Sequence, residues 1–173
     1  MKKVLLILIV ISMICGCSKD SESTDIVDKN VIATFKQSSA ENDVINFFTS
    51  ELPLMRKYYD FEVPFYWRGT IYTETCKLVN SMEEFQAFYF GDVPLPQIDF
   101  SNQTLIIGWK EFGTFDEMDK MELRKDEKGY SLNVYTLRHK GLNKVDMCWV
   151  SYWGIFPKQA QEPVSVNIII NTK

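Results

Sequence analysis

Histidine is almost missing from this chain: one residue in 173, His139. It stands in Arg138-His139-Lys140-Gly141, a basic turn. Flanking cations disfavour its protonated form, and a turn tip admits water, so it reads as a solvated loop histidine. No lipase-type G-x-S-x-G, Walker-type phosphate loop or H-E-x-x-H occurs, so the usual nucleophilic, nucleotide and zinc-protease signatures are missing. Basic charge is also in short supply, with 19 Lys and Arg against 23 Asp and Glu. That balance argues against nucleic acid, whose phosphates need a cationic surface. Long apolar runs are lacking as well. The longest is Val4–Ile14, eleven residues interrupted only by Ser12, whereas a membrane-spanning helix needs roughly 20.

What is there at the N-terminus is an export signal. Lys2 and Lys3 form a positive start, Val4–Ile14 an apolar stretch of signal-peptide length, and Ile14-Cys15-Gly16-Cys17 a lipobox. An aliphatic residue at −3 and a small one at −1 place cleavage after residue 16, leaving Cys17 as a lipid-modified N-terminus. Two or more acyl chains anchor a protein stably where one does not. Ser18 at +2 is not the aspartate of inner-membrane retention. Ser18-Lys19-Asp20-Ser21-Glu22 resembles the surface-export signals of Bacteroidetes lipoproteins, or is a plain solvated tether. The expectation is a lipid anchor in the cell envelope, in the outer membrane and exposed at the surface.

Loss of Lys2 and Lys3 takes the mature chain to 17 basic against 23 acidic side chains. Residues 17–43 read as a polar tether with a short strand at Val31–Phe35, and residues 44–173 as one α+β domain. Of the four cysteines, Cys15 leaves with the signal and Cys17 is acylated. Cys76 and Cys148 remain where disulfides are allowed, either paired or as two buried thiols on separate strands. With a single histidine they cannot make an ordinary structural zinc site, and no cofactor is implied.

Val44, Phe47, Phe48 and Leu52 share one helical stripe, which predicts a short helix over residues 41–50. Arg68–Asn80 alternates, with Tyr72, Cys76 and Leu78 on one face. Ser81-Met82-Glu83-Glu84 follows as a capping box, Phe85, Phe88 and Tyr89 supply an apolar stripe, and Gly91 sits where a C′ glycine belongs. Thr104–Phe112 is nearly continuous apolar and suits a central strand. Lys120–Lys125 (Met121, Leu123 inward), Tyr130–Leu137 (Leu132, Val134 inward), Val145–Phe156 and Pro163–Ile170 complete the set. Lys128-Gly129 and Lys140-Gly141 predict antiparallel hairpins. The predicted fold is α+β: one twisted antiparallel sheet of about five to six strands, with a short helix packed between its first and second strands.

Three segments of this stretch resemble a known family: Cys76-Lys77-Leu78-Val79-Asn80-Ser81-Met82-Glu83-Glu84-Phe85, Leu95-Pro96-Gln97-Ile98-Asp99-Phe100-Ser101 and Leu105-Ile106-Ile107. They are similar to the C-terminal domain of PrcB-like lipoproteins, the protease-complexing family. The resemblance lies in the order strand, "NS-x-E-E/D-aromatic" helix, "P-x-V/I-D-F" and hydrophobic strand. The family's Thr-Gly-Gly-aromatic segment is replaced by Gly113-Thr114-Phe115-Asp116. The resemblance implies a non-catalytic lipoprotein that binds or stabilises another envelope protein, such as a secreted or surface protease.

Remaining chemistry is sparse. Asp60 and Glu62, Glu83 and Glu84, and Asp116, Glu117 and Asp119 are the carboxylate groups a hydrolase would draw on. The last group lacks the spacing of a calcium loop. Arg138, His139, Lys140 and Lys144 form a basic loop suited to an acidic partner or to a solvated hairpin tip. Aromatics are denser: Phe65-Tyr66-Trp67 and Trp149-Val150-Ser151-Tyr152-Trp153. On a strand, Trp149 and Trp153 share one face while Tyr152 points to the other. Either both faces are buried, or Trp149, Trp153, Tyr152 and Trp67 supply an exposed platform for sugar rings or a protein hot spot.

Overall fold

Alternating apolar positions dominate the C-terminal half of the chain, and they form strands wherever a second surface exists to bury them. The computed structural model describes residues 28–57, 65–69, 73–113, 117–138 and 147–172. The export signal, Cys17 and, of the basic loop, His139, Lys140 and Lys144 lie outside these residues; Arg138 ends a strand. The described elements run β1 (Val31–Phe35), α1 (Asn42–Glu51), β2 (Met55–Lys57), β3 (Thr75–Val79), α2 (Met82–Phe88), β4 (Gln103–Gly113), β5 (Glu117–Asp126), β6 (Gly129–Arg138), β7 (Met147–Pro157) and β8 (Val164–Thr172). The class is α+β, but the single sheet is replaced by two four-stranded sheets, ordered β1-β5-β6-β8 and β2-β7-β4-β3.

The second sheet is the middle layer. One face of β4 and β7 carries Trp109 and Trp153, and both helices pack on it: Phe48 of α1 stacks on Trp153 at 4.3 Å, and Phe88 of α2 on Trp109 at 6.0 Å. The other face carries Val150, Tyr152 and Phe156 and meets the first sheet, where Phe35 lies 5.8 Å from Phe156 and Ile168 packs on Cys148 and Val150. β7 is therefore covered on both sides, which accounts for its two apolar faces. The first sheet buries Met121, Leu123, Leu132 and Val134 on its inner face, as their alternation predicts.

Four expectations change. β1 pairs with β5 and puts Phe35 in the core, so the packed domain starts before residue 44. Lys128-Gly129 does close a hairpin, with Gly129 at φ 115°, a conformation open mainly to glycine. The strands flanking Lys140-Gly141 do not pair with each other: β6 lies parallel to β8, and β7 lies between β2 and β4. An apolar strand with two hydrophobic faces is satisfied only by a central position with cover on both sides. Finally, Ser81 caps α2 by accepting from the Glu84 amide at 3.1 Å, but Glu84 reaches back to the amide of Asn80, one residue before the cap, at 2.7 Å. Tyr89 already leaves the helix in extended geometry, so Gly91 is no C′ residue. It stands where a Cβ would fall 2.2 Å from the Tyr89 hydroxyl oxygen.

Candidate functional site

The aromatic platform is not on the surface. Trp67 and Tyr152 are 1% exposed, and Trp149 and Trp153 are 5% exposed. Trp67 donates from its ring nitrogen to the Glu51 carbonyl at 2.8 Å and stacks with Phe48 and Phe85. Trp153 lies under α1. These rings fill the space between helices and sheet, where large apolar area removed from water stabilises most. The exposed sugar-stacking reading of these four residues is overturned by that cover.

Cys76 and Cys148 are free thiols. Cys76 sits opposite Gly108 on β4, whereas Cys148 sits opposite Phe112, four residues further along and across one more strand. At about 3.3 Å per residue and about 4.8 Å per strand the two lie roughly 16 Å apart. A disulfide needs Cα atoms within about 7 Å. Cys76 instead lines a crevice of about 470 Å³ between β3 and β8, with Tyr152, Trp109, Val164 and Val166, and with the Lys110–Glu74 ion pair (2.7 Å) at its rim. Burial pushes the Cys76 thiol up to about 11, against a smaller opposing effect of the Tyr152 hydroxyl. It is protonated at neutral pH and is a poor nucleophile. Tyr152 is likewise held above its ordinary range, by burial first and then by Cys76, and donates to the Thr75 carbonyl at 2.8 Å. Gly108 permits that bond: a Cβ there would stand 2.0 Å from the Thr75 oxygen and 2.5 Å from the Tyr152 hydroxyl oxygen.

The buried carboxylates are engaged. Glu51 accepts from the Tyr89 hydroxyl at 2.7 Å. Glu122, on the outer face of the first sheet, accepts from Lys120 at 2.7 Å and Tyr135 at 2.9 Å, and pairs with Arg124 at 3.4 Å. Arg124 also pairs with Asp28. Glu83 is in the first turn of α2 and Glu84 caps it. Asp60, Glu62 and Asp116 lie outside the described residues. Among the described residues no group of three His, Cys, Asp or Glu side chains is placed to hold a metal ion. No family model, curated protein or solved structure matches this chain.

The unexpected feature is apolar and exposed. Phe90 is 58% exposed and Val93 41%, two of the four large hydrophobics left in solvent among the described residues. Phe90 is held outward by backbone pairing. Tyr66–Arg68 runs antiparallel to Phe88–Phe90, with the Phe90 amide donating to the Tyr66 carbonyl at 2.9 Å and the Arg68 amide to the Phe88 carbonyl at 2.8 Å. The Phe90 ring meets Tyr66 edge-on at 6.2 Å. Val93 also lines a groove of about 450 Å³ between α1 and residues 93–97, with Phe47, Leu95 and Pro96 as further apolar lining and Asn46 and Ser50 as polar ones. Asp43 lines it and Asp92 adjoins it, with no Lys or Arg in the lining. After the loop, Asp99 accepts from the Ser101 amide and the Asn102 side chain in a local turn that leads into β4. Phe90 and Val93 in solvent, and a largely apolar groove lined by Val93 and Asp43, are the features that a protein partner could use.

Proposed function

We propose that the chain is a non-catalytic lipoprotein of the cell envelope that binds or stabilises a protein partner through the Phe90–Val93 patch and its groove. Acylated Cys17 tethers it to the outer membrane, facing the surface. The carrying observation is the exposure of Phe90 and of Val93, which lines the groove, in a chain that has buried its four tryptophan and tyrosine platform candidates. Asp43 and Asp92 favour a partner segment that carries a basic residue next to its apolar anchor. The resemblance to PrcB-like lipoproteins makes a secreted or surface protease the first partner to look for.

The test is a cross-linked pull-down from native envelopes with tagged residues 18–173, run beside Phe90→Ala/Val93→Ala. One protein enriched by the parent and lost with the variant supports the reading. Equal enrichment by both removes the groove from it. Cys17→Ala releases the chain from membranes; continued anchoring refutes the lipid tether.

A further inference from the structure

Among the described residues each sheet has two edge strands, and three of the four are blunted. β2 is three residues long. β1 is five, with a register irregularity between Val31 and Ala33. β3 is five, with Lys77 at its centre. Short length, bulges and lysine are the devices by which sheets avoid adding further strands. β8 has none of them. It is nine residues long, VSVNIIINT, with no charge, no proline and no register shift against β6, its one ladder partner among the described residues. Its inner positions Val164, Val166 and Ile168 pack on the core, while Ser165, Asn167 and Asn171 are exposed.

We propose that the open edge of β8 pairs antiparallel with β8 of a second copy, joining two four-stranded sheets into one of eight. Charge selects this occupant. The outward residues of β6 that flank β8 are Ser131, Asn133 and Tyr135, also uncharged, and the nearest outer-face charges, Lys120, Glu122 and Arg124, stand two strands away on β5. Such an edge offers no electrostatic handle to a foreign segment, yet a copy meets no like charge across the two-fold axis. Pairing must match residues of equal parity to keep apolar side chains inward. Centred on Ile169, it sets Asn167 against Asn171 and Ile168 against Ile170. This register pairs residues 166–172 and leaves the Val164 end of the crevice clear. The paired span of residues 166–172, about 23 Å long and about 10 Å thick, hides roughly 460 Å² over both copies, less than the roughly 1,200 Å² of stable complexes. The pairing is therefore weak in solution and is favoured where anchoring confines copies to one surface.

The test is sedimentation equilibrium of the unacylated mature chain (Cys17→Ala) from about 10 µM to about 1 mM, a span suited to a weak interface. The expected mass rises from one copy towards two. Asn167→Lys/Asn171→Lys places lysine against lysine and should stay at one copy. Asn167→Glu/Asn171→Glu should do the same, and a mixture of the two variants should recover the dimer. Circular dichroism checks that each is folded. In intact envelopes, Ile169→Cys in the full chain should give covalent dimers on mild oxidation. A single-copy mass at about 1 mM, a dimer indifferent to the lysines, or a mixture that stays monomeric overturns the proposal. None of these outcomes bears on Phe90.

Discussion

Phe48 and Phe90 are both phenylalanines close to α2, and truncating each to alanine should have opposite consequences. Phe48 is fully buried, stacked on Trp153 at 4.3 Å, on Trp67 at 6.1 Å and on Phe85 at 6.1 Å, with Phe47 edge-on at 5.2 Å. It is the side chain by which α1 grips the middle sheet. Removing its ring loses a transfer contribution of about 2 kcal/mol. The void is walled by three rigid rings that cannot close over it. A residual cavity of roughly 80 Å³ at about 24 cal/mol per Å³ adds about 2 kcal/mol more. Phe48→Ala should therefore cost about 4 kcal/mol of a total near 5–15 kcal/mol. Phe90 is 58% exposed and has one edge-on ring neighbour, Tyr66, so Phe90→Ala should cost about 1 kcal/mol or less. Urea unfolding followed by far-ultraviolet circular dichroism and tryptophan emission measures both. Phe48→Ala should also redden native emission, because Trp153 gains a wet face. Equal costs, or a cost below about 1.5 kcal/mol for Phe48→Ala, would refute the division between a structural aromatic core and a surface anchor.

Other expectations follow from the same geometry. Acrylamide should quench native tryptophan emission weakly and unfolded emission strongly, since the four tryptophans lie at 1–5% exposure; efficient native quenching would reopen the platform reading. Titration of residues 18–173 with a thiol reagent should find two thiols after denaturation but slow reaction in the native state near pH 8, because Cys76 is pushed up to about 11 and Cys148 is buried; a missing thiol would mean a disulfide. Burial pushes the Glu122 carboxyl up, but hydrogen bonds from Lys120 and Tyr135 and the charges of Lys120 and Arg124 outweigh it and hold it below its ordinary value of 4.5. Its contribution is present above that pH and is lost as pH falls through the lower folded value. Glu122→Gln should flatten the stability–pH curve on that acid side, and an unchanged slope would remove Glu122 from it. Gly108→Ala should destabilise by about 2 kcal/mol or more and loosen the β3–β4 pairing, measured by amide exchange of Cys76–Leu78.

Period-two patterning made the strands legible. Met121, Leu123, Leu132 and Val134 point inward because alternation against a core leaves no other choice. The N-cap at Ser81 and the turn at Gly129 act through local backbone chemistry, so they too survive into the fold. Which strands become neighbours is a different kind of information. The parallel pairing of β6 with β8 and the separation of β7 from β6 depend on how two sheets share one apolar filling, and no local signal in residues 129–157 encodes it. The predicted single sheet failed for that reason.

The same limit governed the site. Parity correctly put Trp149 and Trp153 on one face of β7 and Tyr152 on the other, but cover for those faces comes from α1 and α2, distant in sequence, and from β8, whose placement across the other sheet no local signal fixes. Phe90 is different, because its exposure was locally encoded. The helical stripe of α2 was already filled by Phe85, Phe88 and Tyr89, all inside. A residue directly after Tyr89 does not continue that stripe, and Gly91, Asp92 and Pro94 turn the chain at once. The backbone bond to Tyr66 then fixes Phe90 outward. An aromatic that follows a completed apolar stripe and precedes a turn has no core position left to take, and Phe90 accordingly stands 58% exposed.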